Sequence, residues 1–423
     1  MTTTKPTLLS PVQDLTSLHA AIDAGCDAVY FGIKGLNMRA GAKNFELKDL
    51  NKITKICHKG NKYNKDIKTF LAINVLIYDD EIKDIEKILS SAKKASIDAI
   101  IAWDQAVIQK AKKIGLEVHL STQASISNFD AAKFYYKQGI RQIILARELS
   151  LKQVNMIKKR IKKEKLNLKI ETFIHGAMCV SVSGRCFLSQ ELFNKSANRG
   201  ECLQPCRRKY LVKDPEENHE LVIGEDYVLS PNDLCTIDII EELIEAGIDC
   251  FKIEGRNRSP EYVKTTTACY RVAIDLYHEL KKSAKDKKTK IRLPQELKQE
   301  LKERLMMVYN RGFSTGFFMG KPIDKWSKSY GSKATTRKEY IGKIKNFYSK
   351  IDVGEIIMES GNIKVGDTLM IQGPTTGVKG LKIKEMQIDK KKVDKGNKGQ
   401  VIGVRLDFKA RINDKVYIIK KQK

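Results

Sequence analysis

The sequence predicts an α/β protein in two parts, a (β/α)8 barrel of the TIM type followed by a small all-β barrel. Three observations carry that expectation. The first 255 residues alternate short β-branched runs with amphipathic helical stretches, the pattern of repeated β-α units. Gly25, Gly139 and Gly247 stand near helix ends just before the next run, where a left-handed C-cap suits glycine. From Tyr340 onward the pattern changes to short strands separated by Gly, Asp and Asn turns.

In chain order the strand candidates are TLLSP (7–11), DAVYFGI (27–33), TFLAINVL (69–76), DAIIAWD (98–104), EVHLST (117–122), QIILAR (142–147), KIETFIHG (169–176) and CFKIEG (250–255). YVLSP (227–231) is a ninth, so one candidate is extra or lies in an insertion. Helices such as LTSLHAAIDAG (15–25), DIEKILSSAKKA (84–95) and IDIIEELIEAG (237–247) fall between them. A doubly wound open sheet is the competitor, but no G-x-G-x-x-G follows the first strand. Residues 1–285 therefore read as the barrel with an insertion at 176–235, and 286–339 as a helical linker ending in a Gly- and aromatic-containing loop. Residues 340–423 read as a basic β-barrel domain of about six strands.

The 423 residues carry 78 Lys and Arg against 51 Asp and Glu, a formal charge of +27. Such a surplus favours polyanionic partners, nucleic acid before anionic membrane. Part of it, as in KKRIKKEK (158–165) and KKSAKDKKTK (281–290), reads as solvated helix ends or linkers. Residues 340–423 hold 19 Lys/Arg against 9 Asp/Glu, over a third of the net charge in a fifth of the chain. The start, MTTTKPTLLSPVQDL, shows no basic n-region before an apolar core, and no apolar run nears the roughly 20 residues that span a bilayer. A soluble cytoplasmic protein without a membrane partner is the expectation.

In that compartment thiols stay reduced, so clustered cysteines point to metal or catalysis. Four of the nine lie in HGAMCVSVSGRCFLSQELFNKSANRGECLQPC (175–206): Cys179, Cys186, Cys202 and Cys206, spaced C-x6-C-x15-C-x3-C. Structural zinc wants two short knuckles, and only the last pair is one. An iron–sulfur cluster takes four thiolates at irregular spacing. A thiol nucleophile needs one cysteine and a histidine; His175 qualifies, but three cysteines are then unexplained. Cys235, in SPNDLC, is a fifth candidate that could replace Cys202 or Cys206, while Cys26, Cys57, Cys250 and Cys269 read as small buried hydrophobes. No H-E-x-x-H or G-x-S-x-G occurs, and the six histidines are scattered at 19, 58, 119, 175, 219 and 278, so proteolysis has no visible machinery. Several strands end in polar groups where a barrel places its chemistry: Asp104, Ser121-Thr122-Gln123, Arg147, His175 and Glu254-Gly255-Arg256.

In ETFIHGAMCVSVSGRCFLS (171–189), RGECLQPCRRKY (199–210), LLSPVQDLTSLHAAIDAGCDAVYFG (8–32) and FKIEGRNRSPEYV (251–263) the chain resembles the collagenase-like peptidase family U32. The likeness spans nearly the whole chain, and the C-terminal barrel is similar to a domain appended to many members, itself like the second domain of translation elongation factors. The resemblance implies one of two activities. The family carries a peptidase label without settled catalytic residues. Its better understood relatives are oxygen-independent hydroxylases acting on a tRNA wobble uridine (with prephenate implicated), on an rRNA cytidine, or on ubiquinone precursors. The tRNA 5-hydroxyuridine branch is the nearest in pattern, and a noncatalytic RNA-binding factor with a structural cluster is a third reading. The resemblance further implies a [4Fe-4S] cluster on Cys179, Cys186, Cys202 and Cys206, with Cys235 an alternative because the ubiquinone branch places its fourth cysteine differently. Expected partners are tRNA or rRNA and an electron donor or partner subunit. Arg39 and Arg256 are the choices for binding a carboxylate donor, because guanidinium matches carboxylate bidentately. Lys252 and Glu254 would orient that site or move protons, or else brace the barrel as a buried ion pair. His175 is either a donor behind the cluster or a satisfied core histidine.

Overall fold

A computed structural model of the chain describes residues 4–60, 62–63, 66–208, 210, 212–213, 216, 220–221, 227–284, 286, 289–320, 326–327 and 331–422; His219 lies outside them. The eight expected runs become eight parallel strands: β1 (Thr7–Pro11), β2 (Ala28–Phe31), β3 (Lys68–Ala72), β4 (Ala99–Ala102), β5 (Glu117–Leu120), β6 (Gln142–Ile144), β7 (Lys169–Gly176) and β8 (Cys250–Ile253). Each pairs with the next, and β8 closes the ring by pairing with both β7 and β1. The ninth candidate, Tyr227–Pro231, is a strand inside the insertion, antiparallel to Trp326–Ser327 and outside the ring.

Between the strands run α1 (Leu15–Asp23), α2 (Leu50–Cys57), α3 (Ile82–Lys94), α4 (Gln105–Lys113), α5 (Phe129–Lys137) and α6 (Leu151–Lys163). The starts of α1, α4, α5 and α6 are set by side-chain caps that satisfy otherwise orphaned amides. Asp14 accepts the Ser17 amide at 2.8 Å while the Asp14 amide donates to the Ser17 hydroxyl at 3.0 Å. Asn128 accepts the Ala131 amide at 2.8 Å. Gly25, Gly139 and Gly247 take the expected positive φ, at +91°, +88° and +71°.

Two apolar layers hold the barrel, because successive side chains of a strand face opposite ways. Leu8, Val29, Leu71, Ile100, Ile143 and Phe251 pack outward against the helices, and Leu9, Tyr30, Phe70, Ile101, Ile144 and Phe173 pack inward. Burying each such side chain is worth about 1.5–3 kcal/mol. A buried ion pair interrupts the inner layer: Lys252 Nζ lies 2.7 Å from Glu171 Oε1, and Gln142 Nε2 donates to Glu171 Oε2 at 2.6 Å. All three residues are buried.

The insertion holds α7 (Leu188–Phe193), and beyond it come α8 (Ile240–Glu245), α9 (Pro260–Ser283) and α10 (Gln295–Met306). Leu301 and Leu305 of α10 are fully buried in the outer core. Phe313–Ser314 adds to the strand Asp233–Cys235, which itself lies antiparallel to β7. The residues read as a linker thus build much of the barrel's flank.

The C-terminal part is antiparallel throughout. Eight strands form one sheet, in spatial order Gly377–Lys382, Thr368–Gly373, Lys415–Lys421, Thr336–Tyr348, Val353–Met358, Val401–Arg405, Met386–Ile388 and Lys391–Val393. Asn362–Lys364 and Lys395–Asn397 pair separately, which makes ten strands among the described residues rather than about six. The sheet wraps a core that includes Ile344, Ile356, Leu369, Ile371 and Ile402. It rests on α1 and α9 through Lys379 Nζ to Asp23 Oδ2 (2.5 Å), Lys338 Nζ to Glu261 (2.9 Å) and Lys264 Nζ to the Val378 carbonyl (2.6 Å). Among the described residues no helix is long and apolar enough to cross a membrane.

Candidate functional site

A cavity of about 180 Å³ opens at the C-terminal ends of the barrel strands, where loop residues meet the end of the inner layer. Cys179, Cys186, Cys202 and Cys206 all line it, although 27 positions separate the first from the last. The insertion brings them there through short turns at Val182–Gly184, Ala197–Arg199 and Pro205–Arg207 and the single helix α7. These four are at least partly exposed, whereas Cys26, Cys57, Cys235, Cys250 and Cys269 are buried elsewhere. Burial raises the Cys206 thiol, Arg207 opposes that, and Cys179 and Cys202 raise it further, so these three sulfurs share one electrostatic neighbourhood. Ser181 Oγ lies 3.0 Å from Cys179 Sγ, and the Leu188 amide donates to Cys186 Sγ at 3.3 Å.

Among the described residues no three His, Cys, Asp or Glu side chains already close on one point as ligands of a single ion would. Thiols spread around one wall suit a four-iron cluster, which takes a sulfur at each corner. They suit zinc less, since its thiolates meet about 2.3 Å from a single centre. The donor set, four accessible thiols beside Arg207 and Arg147, fits a cluster on both number and charge.

The loop carrying Cys202 is pressed onto the loop after β2. Gly200 sits at φ +88°, and a Cβ there would collide with the Asn37 carbonyl oxygen; the Ala40 amide donates to the Gly200 carbonyl at 3.1 Å. Gly200→Ala should cost about 1–3 kcal/mol and free this loop. A lowered urea midpoint and faster thiol labelling of Cys202 would check it.

Next to the thiols stands a group of guanidiniums. Arg39 donates through Nε and Nη2 to Glu254 Oε1 at 3.2 and 2.9 Å. Burial pushes the Glu254 carboxyl up, but Arg39, Arg147 and Arg256 together hold it down at about 2. Tyr30 donates its hydroxyl to the Ile253 carbonyl at 2.9 Å and lies 3.3 Å from Glu254 Oε2. Arg256, 4 % exposed, donates to Asn37 Oδ1 at 2.9 Å and leaves its Nε without a partner. Burial lowers it to about 10. Arg147 donates to the Ala177 carbonyl at 2.8 Å and stacks 3.8 Å over the Phe173 ring. Arg39 is therefore committed to Glu254, and Arg256 and Arg147 are the better placed to meet an anion. Across the cavity Asn74 Nδ2 donates to Gln123 Oε1 at 3.3 Å, and Phe317, from the aromatic loop, closes part of the wall.

His175 is 1 % exposed and off the cavity wall, packed among Tyr262, Tyr270 and Phe313 with Nδ1 3.3 Å from the Tyr270 hydroxyl. It takes the place of a core histidine rather than a partner for Cys179. Cys235 is likewise off the wall; it lies in the outer core, receives the Tyr270 hydroxyl at 3.8 Å, and is raised to about 11 by burial. Burial lowers His175 to about 4. A base depressed below its unfolded value of 6.5 contributes stability that is complete above pH 6.5 and is lost as pH falls through about 4. Urea titrations between pH 7 and 4 should show a decline of about 3 kcal/mol from this group, absent in His175→Gln.

A family model described as peptidase family U32 matches residues 13–328. The chain belongs to peptidase family U32. It is 43% identical over 417 residues to a protein of Porphyromonas gingivalis named "Collagenase", covering 97% of both chains. It is 44% identical over 418 residues to an uncharacterised protease of Methanocaldococcus jannaschii, covering 98% of both. It is 33% identical over 380 residues to "tRNA hydroxylation protein P1" of Bacillus subtilis, covering 88% of this chain and 84% of that one. The chain is an enzyme of the U32 family, and its cavity at the barrel mouth is its candidate active site. In this U32 chain, sequence reasoning named Arg147 and Gln123 only as strand-terminal groups, although that position is itself the signal for a barrel's site. Asn37, Asn74 and Phe317 were not singled out; Asn37 and Phe317 lie on loops, where no periodicity points inward, and Asn74 falls in the run 69–76 but beyond Ala72, the last residue of β3.

Proposed function

We propose that this enzyme hydroxylates a pyrimidine in RNA without molecular oxygen, with the C5 position of a tRNA wobble uridine as first target and an rRNA cytidine as second. The observation that carries it is one cavity walled by four accessible thiols and four guanidiniums at the mouth of a barrel. The relatives named for tRNA hydroxylation support the RNA reading. Cys179, Cys186, Cys202 and Cys206 would hold a [4Fe-4S] cluster. When bound, such a cluster supplies one-electron transfer or activates an oxygen donor. Arg256 and Arg147 bind the carboxylates of that donor, prephenate or a similar acid. Arg39 holds Glu254 as a carboxylate, and Glu254 in turn offsets the repulsion among Arg39, Arg147 and Arg256. Phe317 and Met178 exclude water from the inner end. Lys252, bound to Glu171, braces the barrel beneath the site. The basic C-terminal part attracts the RNA backbone. The donor is the oxidant: its C–O bond breaks and it is reduced by two electrons as C5–H of the pyrimidine becomes C5–OH, while an electron donor or partner subunit would only set the starting redox state, in the cytoplasm.

Nucleoside mass spectrometry of tRNA and rRNA from a deletion strain tests this. Loss of a hydroxylated pyrimidine, restored by the gene, is the expected result; an unchanged profile overturns the proposal. The relatives named collagenase and protease favour a second reading, peptide hydrolysis. Cleavage of a peptide abolished by Cys179→Ala, with iron retained, would establish it instead.

A further inference from the structure

We propose that the cysteine-bearing insertion presents a collar, centred on Phe187 and Arg185, on which a single-stranded RNA segment lies while one base reaches the cavity. The proposal rests on the RNA reading above and assigns the surface that serves it.

The first observation is an alternation. Cys186 and Cys202 line the cavity, and the residue following each is an exposed apolar side chain off its wall: Phe187 and Leu203, at 76% and 57% exposure; Val180, after Cys179, is 39% exposed and lies on the wall itself. Phe187, at the start of α7, and Leu203 thus stand outside the wall to which their neighbouring cysteines belong. Val182, 61% exposed, extends the set. Apolar groups gathered at the rim of a functional cavity mark a surface that something covers.

The second observation is charge. Residues 176–210 hold six Lys/Arg against two Asp/Glu. Arg199 is spent on Glu81, and Glu201 faces Lys195 at 3.7 Å. Arg185 and Arg208 are exposed and enter no ion pair among the described residues. Arg185 lies 5.8 Å from the Trp103 ring and donates to Ser125 Oγ at 3.0 Å, and Arg208 lies 5.0 Å from the Phe193 ring. Arginines beside aromatic rings and an exposed phenylalanine on the same insertion meet both needs of a single strand: phosphates to neutralise and bases to stack. Chemistry on a base requires it out of the helical stack, which a duplex resists. A lipid surface would call for a broader apolar face, and an acidic protein alone would leave Phe187 without a role.

Fluorescence anisotropy on the full chain, prepared anaerobically, tests the collar with labelled oligouridylate of about 12 nucleotides and a duplex of equal length. The single strand should bind more tightly, and Phe187→Ala and Arg185→Ala should each weaken it by roughly 5- to 20-fold. Arg185→Ala should also flatten the slope of log affinity against log salt by about 0.7. Both side chains are exposed, so melting temperatures should not move. If the variants bind like the wild type while Lys391→Ala/Lys395→Ala loses affinity, the collar is refuted and the RNA reading stands. If the wild type binds neither the oligomer nor tRNA, both fall. If the variants keep RNA affinity but lose nucleoside modification, a protein partner docks there instead. If phosphatidylserine vesicles compete for the collar and RNA does not, the partner is a membrane.

Discussion

Serine at Cys179, Cys186, Cys202 or Cys206 will strip the brown colour from anaerobically purified protein, and serine at Cys235 will leave it. The four thiols share one cavity and remain open to it, whereas Cys235 is 4 % exposed in the outer core beneath Tyr270. Wild-type protein should carry about four irons per chain, with a visible band bleached by dithionite. Each single serine variant should lose most of that iron, because one corner of the cluster is left without a thiolate, and should lose nucleoside modification with it. The same four substitutions should cost little folding stability, since none of these thiols belongs to the packed core. Colourless wild-type protein holding one zinc per chain would refute the assignment. Retained iron in Cys206→Ser but not in Cys235→Ser would transfer the fourth ligand to Cys235.

Lys252→Met will destabilise the barrel by about 3–5 kcal/mol. Glu171 is fully buried and Lys252 is 4 % exposed, so removing the ammonium strands a carboxylate with only neutral partners, Gln142 and the Cys250 thiol. Lys252 Nζ also sits 4.4 Å over the Tyr30 ring and 5.5 Å from the Phe173 ring, contacts that the methionine side chain replaces in bulk but not in charge. Adding Glu171→Gln should recover at least half of the loss, because a neutral amide can still bond to Gln142 and no charge is left unpaired. Urea unfolding of the two single variants and the double variant measures all three values. A Lys252→Met protein as stable as the wild type yet unable to modify RNA would return Lys252 to the role of proton carrier.

The barrel was legible because its eight strands are buried on both faces, and such strands read as continuous apolar runs whatever surrounds them. TLLSP and CFKIEG are far apart in sequence, yet both announce themselves, and their pairing closes the ring. The C-terminal strands were harder. KGLKIKEMQI reads as one strand, but Gly377–Lys382 and Met386–Ile388 are separate, with Ile383 buried at the bend. Three-residue strands such as Lys391–Val393 are too short to display an alternation. The cysteines were visible from spacing alone, and so were the chemical identities of Arg39, Glu254 and Arg256. Which arginine remains free was not visible, because Arg39 and Glu254 are 215 residues apart and their ion pair is a product of closure. His175 shows the same limit: four residues from Cys179 in sequence, it turns to Tyr270 instead.

The junction between barrel and sheet bears on how this protein is best dissected in the laboratory. Gly377 packs so near α1 that an added methyl would stand 3.1 Å from the His19 Cβ and 3.3 Å from the Ala20 amide nitrogen. Glu261, seven residues past Glu254, grips both Lys338 and Gln372. Cutting the chain near residue 335 would bare the flank of α1 and unhook the helix that follows the arginine-bearing loop. Truncated halves are thus poor reporters of catalysis, and domain swaps between relatives should carry α1, α9 and the sheet together.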